Sequence, residues 1–246
     1  MPTFIALLTL TFLVALIYSS VGHGGASGYI AVLTLFSFPH PSIAISALCL
    51  NLFVAGIAFY AFFKAHYFSW RLTWPFAVAS IPAAFLGGLI KVPTSLYAAL
   101  LAFVLVCAGF RLLLNLKKVN DHEIHQKPSL TISLILGAFV GILSGIVGVG
   151  GGIFLSPILI LCRWADTKTT AATSAFFILV NSMAALSGKM IQGNHSFSPF
   201  LFSLIAVAFF GGMVGSELGA VRFPSHWLKR VLAFVLFLAA FKLTIH

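Results

Sequence analysis

Two short glycine-rich stretches carry the residues of this chain best suited to chemistry. Val147–Gly152 reads VGVGGG and Val21–Gly25 reads VGHGG, so Val-Gly-x-Gly-Gly recurs at an offset of 126. The later copy belongs to an apolar segment, Gly137–Pro157, with glycine at 137, 141, 145, 148, 150, 151 and 152. Each glycine inside a helix costs about 1 kcal/mol relative to alanine, so three in succession predict a broken helix. A helix that restarts after such a break offers unpaired N–H groups and partial positive charge to an anion. Gly22, Gly24, Gly25, Gly148, Gly150, Gly151 and Gly152 are therefore candidate substrate-binding positions, where a ligand could approach bare backbone. Gly137, Gly141 and Gly145, spaced by four, suit close helix packing instead.

Polar side chains near the breaks extend the list. His23 stands where the later copy has Val149; it could bind substrate, take a proton, or simply hydrogen-bond to backbone. Ser27 and Ser144 flank the motifs as hydroxyl donors. Asn51 and Asn181 each lie in the first long apolar segment after a motif, with Ser46 ahead of one and Thr173 and Ser174 ahead of the other. Polar groups in lipid tend to face the bundle interior, so these serve either as substrate contacts or as interhelical hydrogen bonds.

The elements that position these residues are membrane helices. Hydrophobic residues make up 61% of the chain and charged ones 7%, against about 25% charged in soluble domains. Apolar segments lie near 3–20, 27–38, 42–62, 72–90 and 95–115, then 130–146, 152–162, 167–188, 198–216 and 225–244. Most reach the length of about 20 residues that crosses a bilayer, whereas 27–38 and 152–162 suit half-helices or re-entrant arms. The amino terminus lacks a positive n-region and a cleavage site, and reads as a mature helix. Residues 93–112 align without gaps on 224–243 with nine of twenty positions identical. The predicted fold is all-α: two repeats, 1–115 and 130–246, each a broken helix or re-entrant hairpin followed by three transmembrane helices, joined by a linker at 116–129.

Basic residues orient the repeats. With an odd number of crossings per half, eleven of the fourteen Lys and Arg fall on one side and three on the other. An even number gives eight and six. Basic loops stay cytoplasmic, which predicts inverted repeats, a cytoplasmic linker and both termini outside. The net charge of +10 then reports topology, and no nucleic-acid partner is expected. Cys49, Cys107 and Cys162 stand singly, without disulfide or metal spacing. Asp121, Glu123 and Asp166 fall in loops and Glu217 near a helix end; without a carboxylate at mid-depth, a small anion is favoured over a metal cation.

The glycine motifs, the short helices after them and the chain length resemble the sulfite exporter TauE/SafE family, also called the 4-toluene sulfonate uptake permease family. The most specific portion is GILSGIVGVGGGIFLSP, pointing to Gly148, Gly150, Gly151, Gly152 and Pro157, and less firmly to Gly22, Gly24 and Gly25. His23, Ala26 and Ala31 depart from the pattern in the first copy. The resemblance implies a multi-pass protein of a bacterial-type inner membrane that moves sulfur oxyanions or organosulfonates by alternating access. The expected partners are a small anion, the bilayer and a coupling ion (proton or sodium), without a cofactor; a homo-oligomer is compatible. An anion channel or accessory subunit is the alternative. An intramembrane hydrolase fits less well: Gly141-Ile-Leu-Ser144-Gly145 has one residue too many for a nucleophile motif, and no Ser/His or paired-Asp arrangement replaces it. A nucleotide site fails for want of a strand and a P-loop lysine.

Overall fold

The computed structural model describes residues 2–36, 38, 40–90, 128–191, 200–224, 227, 230 and 234. Within these residues, eight α-helices order as α1 (Pro2–Ser20), α2 (Ala26–Leu35), α3 (His40–Lys64), α4 (Trp70–Leu89), α5 (Leu130–Val147), α6 (Gly152–Leu161), α7 (Thr167–Ile191) and α8 (Leu201–Glu217). A π-helical turn, Leu218–Arg222, prolongs α8. No strand occurs among the described residues. The two sets of four follow one plan: 19, 10, 25 and 20 residues, then 18, 10, 25 and 17. The expected last helix of each set, at 95–115 and 225–244, lies outside the described residues but for three positions of the second. The linker does too, except its end.

Local chemistry sets the boundaries. Ser129 caps α5, its hydroxyl accepting from the Ile132 N–H at 3.3 Å. Asp166 caps α7: one carboxylate oxygen accepts from the amides of Lys168 and Thr169, both at 2.9 Å, and the other from the Thr169 hydroxyl at 2.6 Å. That interaction satisfies orphan amide donors at the helix start and gives one of the four acids a structural task. Among the described residues, six helical stretches are long and apolar enough to cross a membrane: Thr3–Ser20, Ile43–Lys64, Trp70–Leu89, Leu130–Val147, Thr167–Ile191 and Leu201–Arg222. α2 and α6, at 10 residues each, rise about 15 Å, half of the hydrocarbon core.

Packing follows the same symmetry. α4 lies along α5 as α1 lies along α8; α4 meets α7 as α8 meets α3; and α3 crosses α7 between the halves. Small residues make the close crossings. Gly137, Gly141 and Gly145 of α5 rest on the backbone of Phe76, Ser80 and Ala84 of α4, while Gly211, Gly215 and Gly219 rest on Phe12, Leu16 and Ser20. On the opposite side of α5, Ile132, Ile135, Phe139 and Ile142 are exposed at the three- and four-residue spacing of one helix face, as suits lipid contact. A Gly141→Leu side chain has no room against Ser80. We expect it to cost roughly 3 kcal/mol by overpacking and to lower the unfolding midpoint in detergent, whereas Phe139→Leu on the exposed face changes it little.

Candidate functional site

α3 and α7 carry the buried polar residues that meet between the halves, and the two helix breaks converge on them. The first break, Val21–Gly25, starts against α7: Gly22 sits on the Ala171 backbone. His23 follows and faces Ser156 of α6, and Gly24 packs on the Asn51 side chain of α3. The second break starts at the opposite end of α7, with Gly148 beside Lys189. Gly150 then meets Ser182 and Ile178, Gly151 meets Phe177, and Gly152 meets Ile178 and the Ser174 carbonyl. The second break thus lies along α7 between Ser174 and Ser182, about 12 Å of helix around its middle, and the first reaches the two ends of that stretch through Ser156 and Asn51.

Asn51 joins them. Its side-chain oxygen accepts from the Ala26 N–H at 3.1 Å, capping α2. Its amide donates to the Ser182 hydroxyl at 2.8 Å and, at 3.5 Å, to the carbonyl of Val149 inside the second break. One fully buried side chain therefore bonds to the start of one half-helix and to the break that precedes the other.

His23 makes the second connection. Its Nδ1 lies 3.0 Å from the Val21 carbonyl, its Nε2 3.3 Å from the Ser156 hydroxyl, and Ser156 lies 2.6 Å from the Ser174 hydroxyl. Ser27, by contrast, turns back across its own break to the Tyr18 hydroxyl at 3.0 Å. Gly25 is covered by the Tyr29 ring.

Two predicted residues keep polar capacity in reserve. Ser144 is fully buried on α5 against Gly151, and its hydroxyl has no partner among the described residues. Asn181 is equally buried; its amide donates to the Phe177 carbonyl of its own helix at 2.8 Å, and its side-chain oxygen has no partner among the described residues. The hydroxyl of Ser46 is likewise unpartnered, whereas Thr173 accepts from Thr73 at 3.3 Å. Such groups are costly unless something satisfies them. The start of α6, with Gly151 as cap and the Ser144 hydroxyl beside it, therefore combines a partial positive charge with a free donor.

The correspondence between Asn51 and Asn181 is looser than their sequence surroundings suggest. Asn51 is the twelfth residue of α3 and Asn181 the fifteenth of α7, a shift of nearly one turn. Asn51 crosses to the other half and Asn181 does not. Ser156 and Ser182, which complete the two connections, escaped the sequence reading: Ser156 is the single hydroxyl of an apolar segment and Ser182 one of several along α7, with no spacing to mark either. The one available signal for Ser156 was its place beside Pro157 in the motif.

Six span-length helices among the described residues, with two helix breaks meeting at a buried polar centre, define a multi-pass membrane protein. The chain belongs to the sulfite exporter TauE/SafE family, whose sequence model matches residues 7–243. It is 38% identical over 234 residues to "Probable membrane transporter protein y4hK" of Sinorhizobium fredii, covering 94% of both chains. It is also 33% identical over 82 residues to "Sulfite exporter TauE/SafE family protein 1" of Arabidopsis thaliana, covering 33% of this chain and 18% of that one. No solved structure matches.

Proposed function

We propose that this protein is a secondary transporter of a small anion, a sulfur oxyanion or organosulfonate, working by alternating access between two oppositely inserted halves. The observation that carries the reading is the meeting of both helix breaks on Asn51 at mid-depth. Inverted-repeat transporters place their sites at such a junction, where half-helix N-termini point at anionic groups. The opposite order in which the breaks pass along α7 supports inverted insertion, and the eleven-to-three division of basic residues supports cytoplasmic placement of the linker with both termini outside. Family membership supports the substrate class.

The anion sits at the start of α6, held by backbone N–H groups, by the Ser144 hydroxyl and by Ser174, with Gly150 and Gly151 leaving the backbone bare. Asn51 keeps the α2 start in register with it. The Asn181 carbonyl oxygen, an acceptor, suits a protonated or amine-bearing part of the solute rather than the anionic group itself. Purified protein in proteoliposomes is expected to move labelled sulfite or a labelled sulfonate, saturably and against competition by the unlabelled anion. Absence of flux for every sulfur anion defeats the proposal; flux that rises linearly with concentration assigns a channel instead.

A further inference from the structure

The direction of the His23 hydrogen-bond chain carries a further consequence. A carbonyl only accepts, so the contact from Nδ1 to Val21 places the proton of the neutral ring on Nδ1. Nε2 then bears the lone pair, and the Ser156 hydroxyl donates to it. With its single proton committed, Ser156 must accept from Ser174, 2.6 Å away. The chain runs Ser174 to Ser156 to His23.

No carboxylate faces this chain among the described residues. The end of α1 brings Tyr18, α2 brings Tyr29, α3 brings Cys49 with Lys64 at its far end, and α6 brings no titratable side chain. α7 has Lys168 and Lys189 near its two ends, and its acid, Asp166, is spent on the helix cap. A second proton on His23, which the backbone of Val21 and Gly152 helps to hold, therefore creates a buried charge that faces no carboxylate among the described residues. A bound anion supplies the counter-charge. The same proton reverses the chain: Nε2–H donates to Ser156, Ser156 donates to Ser174, and the Ser174 hydroxyl, keeping its proton, is freed to donate to another acceptor. The backbone of Ser174 lies against Gly152 through its carbonyl, one turn of α6 before Ser156, which places this residue beside the α6 start where the anion is proposed to sit.

We infer that His23 couples anion movement to protons, taking one proton at Nε2 as the anion binds and giving it up when the anion leaves. The inference deepens the transporter reading and rests on it. Linkage makes the effect reciprocal, so the anion binds more tightly where protons are plentiful.

The test uses calorimetry on purified full-length protein with methanesulfonate and sulfate, both of which keep their charge from pH 5 to 8. Titrations in buffers of different ionisation enthalpy report proton uptake directly. The wild type is expected to take up as much as one proton per anion and to lose about tenfold in affinity per pH unit through the coupled range. His23→Gln is expected to bind with no proton uptake and a flat pH profile. Ser174→Ala, which leaves His23 and Ser156 in place, is expected to lose about three- to tenfold in affinity at pH 5 and little at pH 8, the range for one hydrogen bond. Binding to the wild type without proton uptake overturns the coupling, as does uptake that persists in a folded His23→Gln. An equal loss at both pH values in Ser174→Ala overturns the relay. Failure of the wild type to bind any sulfur anion at any pH defeats the transporter reading itself, and the coupling with it.

Discussion

Asn51→Asp is expected to leave the protein folded and to cost it about 30- to 100-fold in anion affinity. The replacement is nearly isosteric, and it keeps the oxygen that caps α2 through the Ala26 N–H. What changes is the other arm. An amide that donates to Ser182 and toward the Val149 carbonyl becomes a carboxylate oxygen that can only accept. Ser182 can turn its hydroxyl to satisfy it, but Val149 cannot. The second break then faces negative charge beside the place where an anion must sit, and like charges brought together cost several kcal/mol. At about 1.4 kcal/mol per decade, even 2–3 kcal/mol accounts for the stated loss. Asn51→Leu separates scaffold from site. It strands a buried amide donor, at roughly 1–3 kcal/mol, and opens the contact between the halves, so its unfolding midpoint in detergent falls as well. The measurement is anion binding alongside thermal unfolding for both variants. If Asn51→Asp binds and transports as the wild type does, Asn51 is interhelical glue and the proposed seat lies elsewhere.

How much of this was legible beforehand depends on the range of the interaction. Helix boundaries are local, and the sequence signals for them held: the segments expected at 27–38 and 152–162 appear as Ala26–Leu35 and Gly152–Leu161. Gly137, Gly141 and Gly145 lie where their four-residue spacing placed them, in a helix crossing. The connections through the centre are not local. His23 and Ser156 are separated by 133 positions, and Asn51 and Ser182 by 131. No periodicity in either segment refers to the other. Asn181 attracted attention as the one amide in its helix, yet its neighbour Ser182 makes the contact, because one residue along a helix turns a side chain by about 100°. Asn181 instead bonds to its own backbone, an outcome any polar residue in a helix can reach without a partner.

The second large effect is expected at Gly151, and Gly148 supplies its control. Both have left-handed backbone, with φ of 77° and 75°, and sequence alone gave them equal standing. Their surroundings differ. A Cβ at Gly151 falls 2.9 Å from the Phe177 ring and 3.1 Å from the Ser144 Cβ, whereas at Gly148 the nearest atoms are Lys189 and Leu48 carbons at 3.5 and 3.6 Å. Gly151 also caps α6, so any side chain there both strains the backbone and pushes the half-helix start away from Ser144. Gly148 ends α5, its N–H donating to the Ser144 carbonyl at 2.8 Å, a C-terminal turn that glycine or asparagine ordinarily fills. Gly151→Leu adds left-handed strain of about 1–2 kcal/mol to a clash at the anion's place. It is expected to reduce flux in proteoliposomes at least a hundredfold while the protein still inserts and purifies as a folded species. Gly148→Asn is expected to stay within about threefold of the wild type, since asparagine tolerates this backbone region and its Cβ meets only the flexible Lys189 and Leu48 side chains at ordinary contact distance. The contrast ties the loss to the α6 start rather than to the glycine content of the motif. Equal losses in the two variants remove that distinction, and normal flux through Gly151→Leu removes the α6 terminus as the seat of the anion.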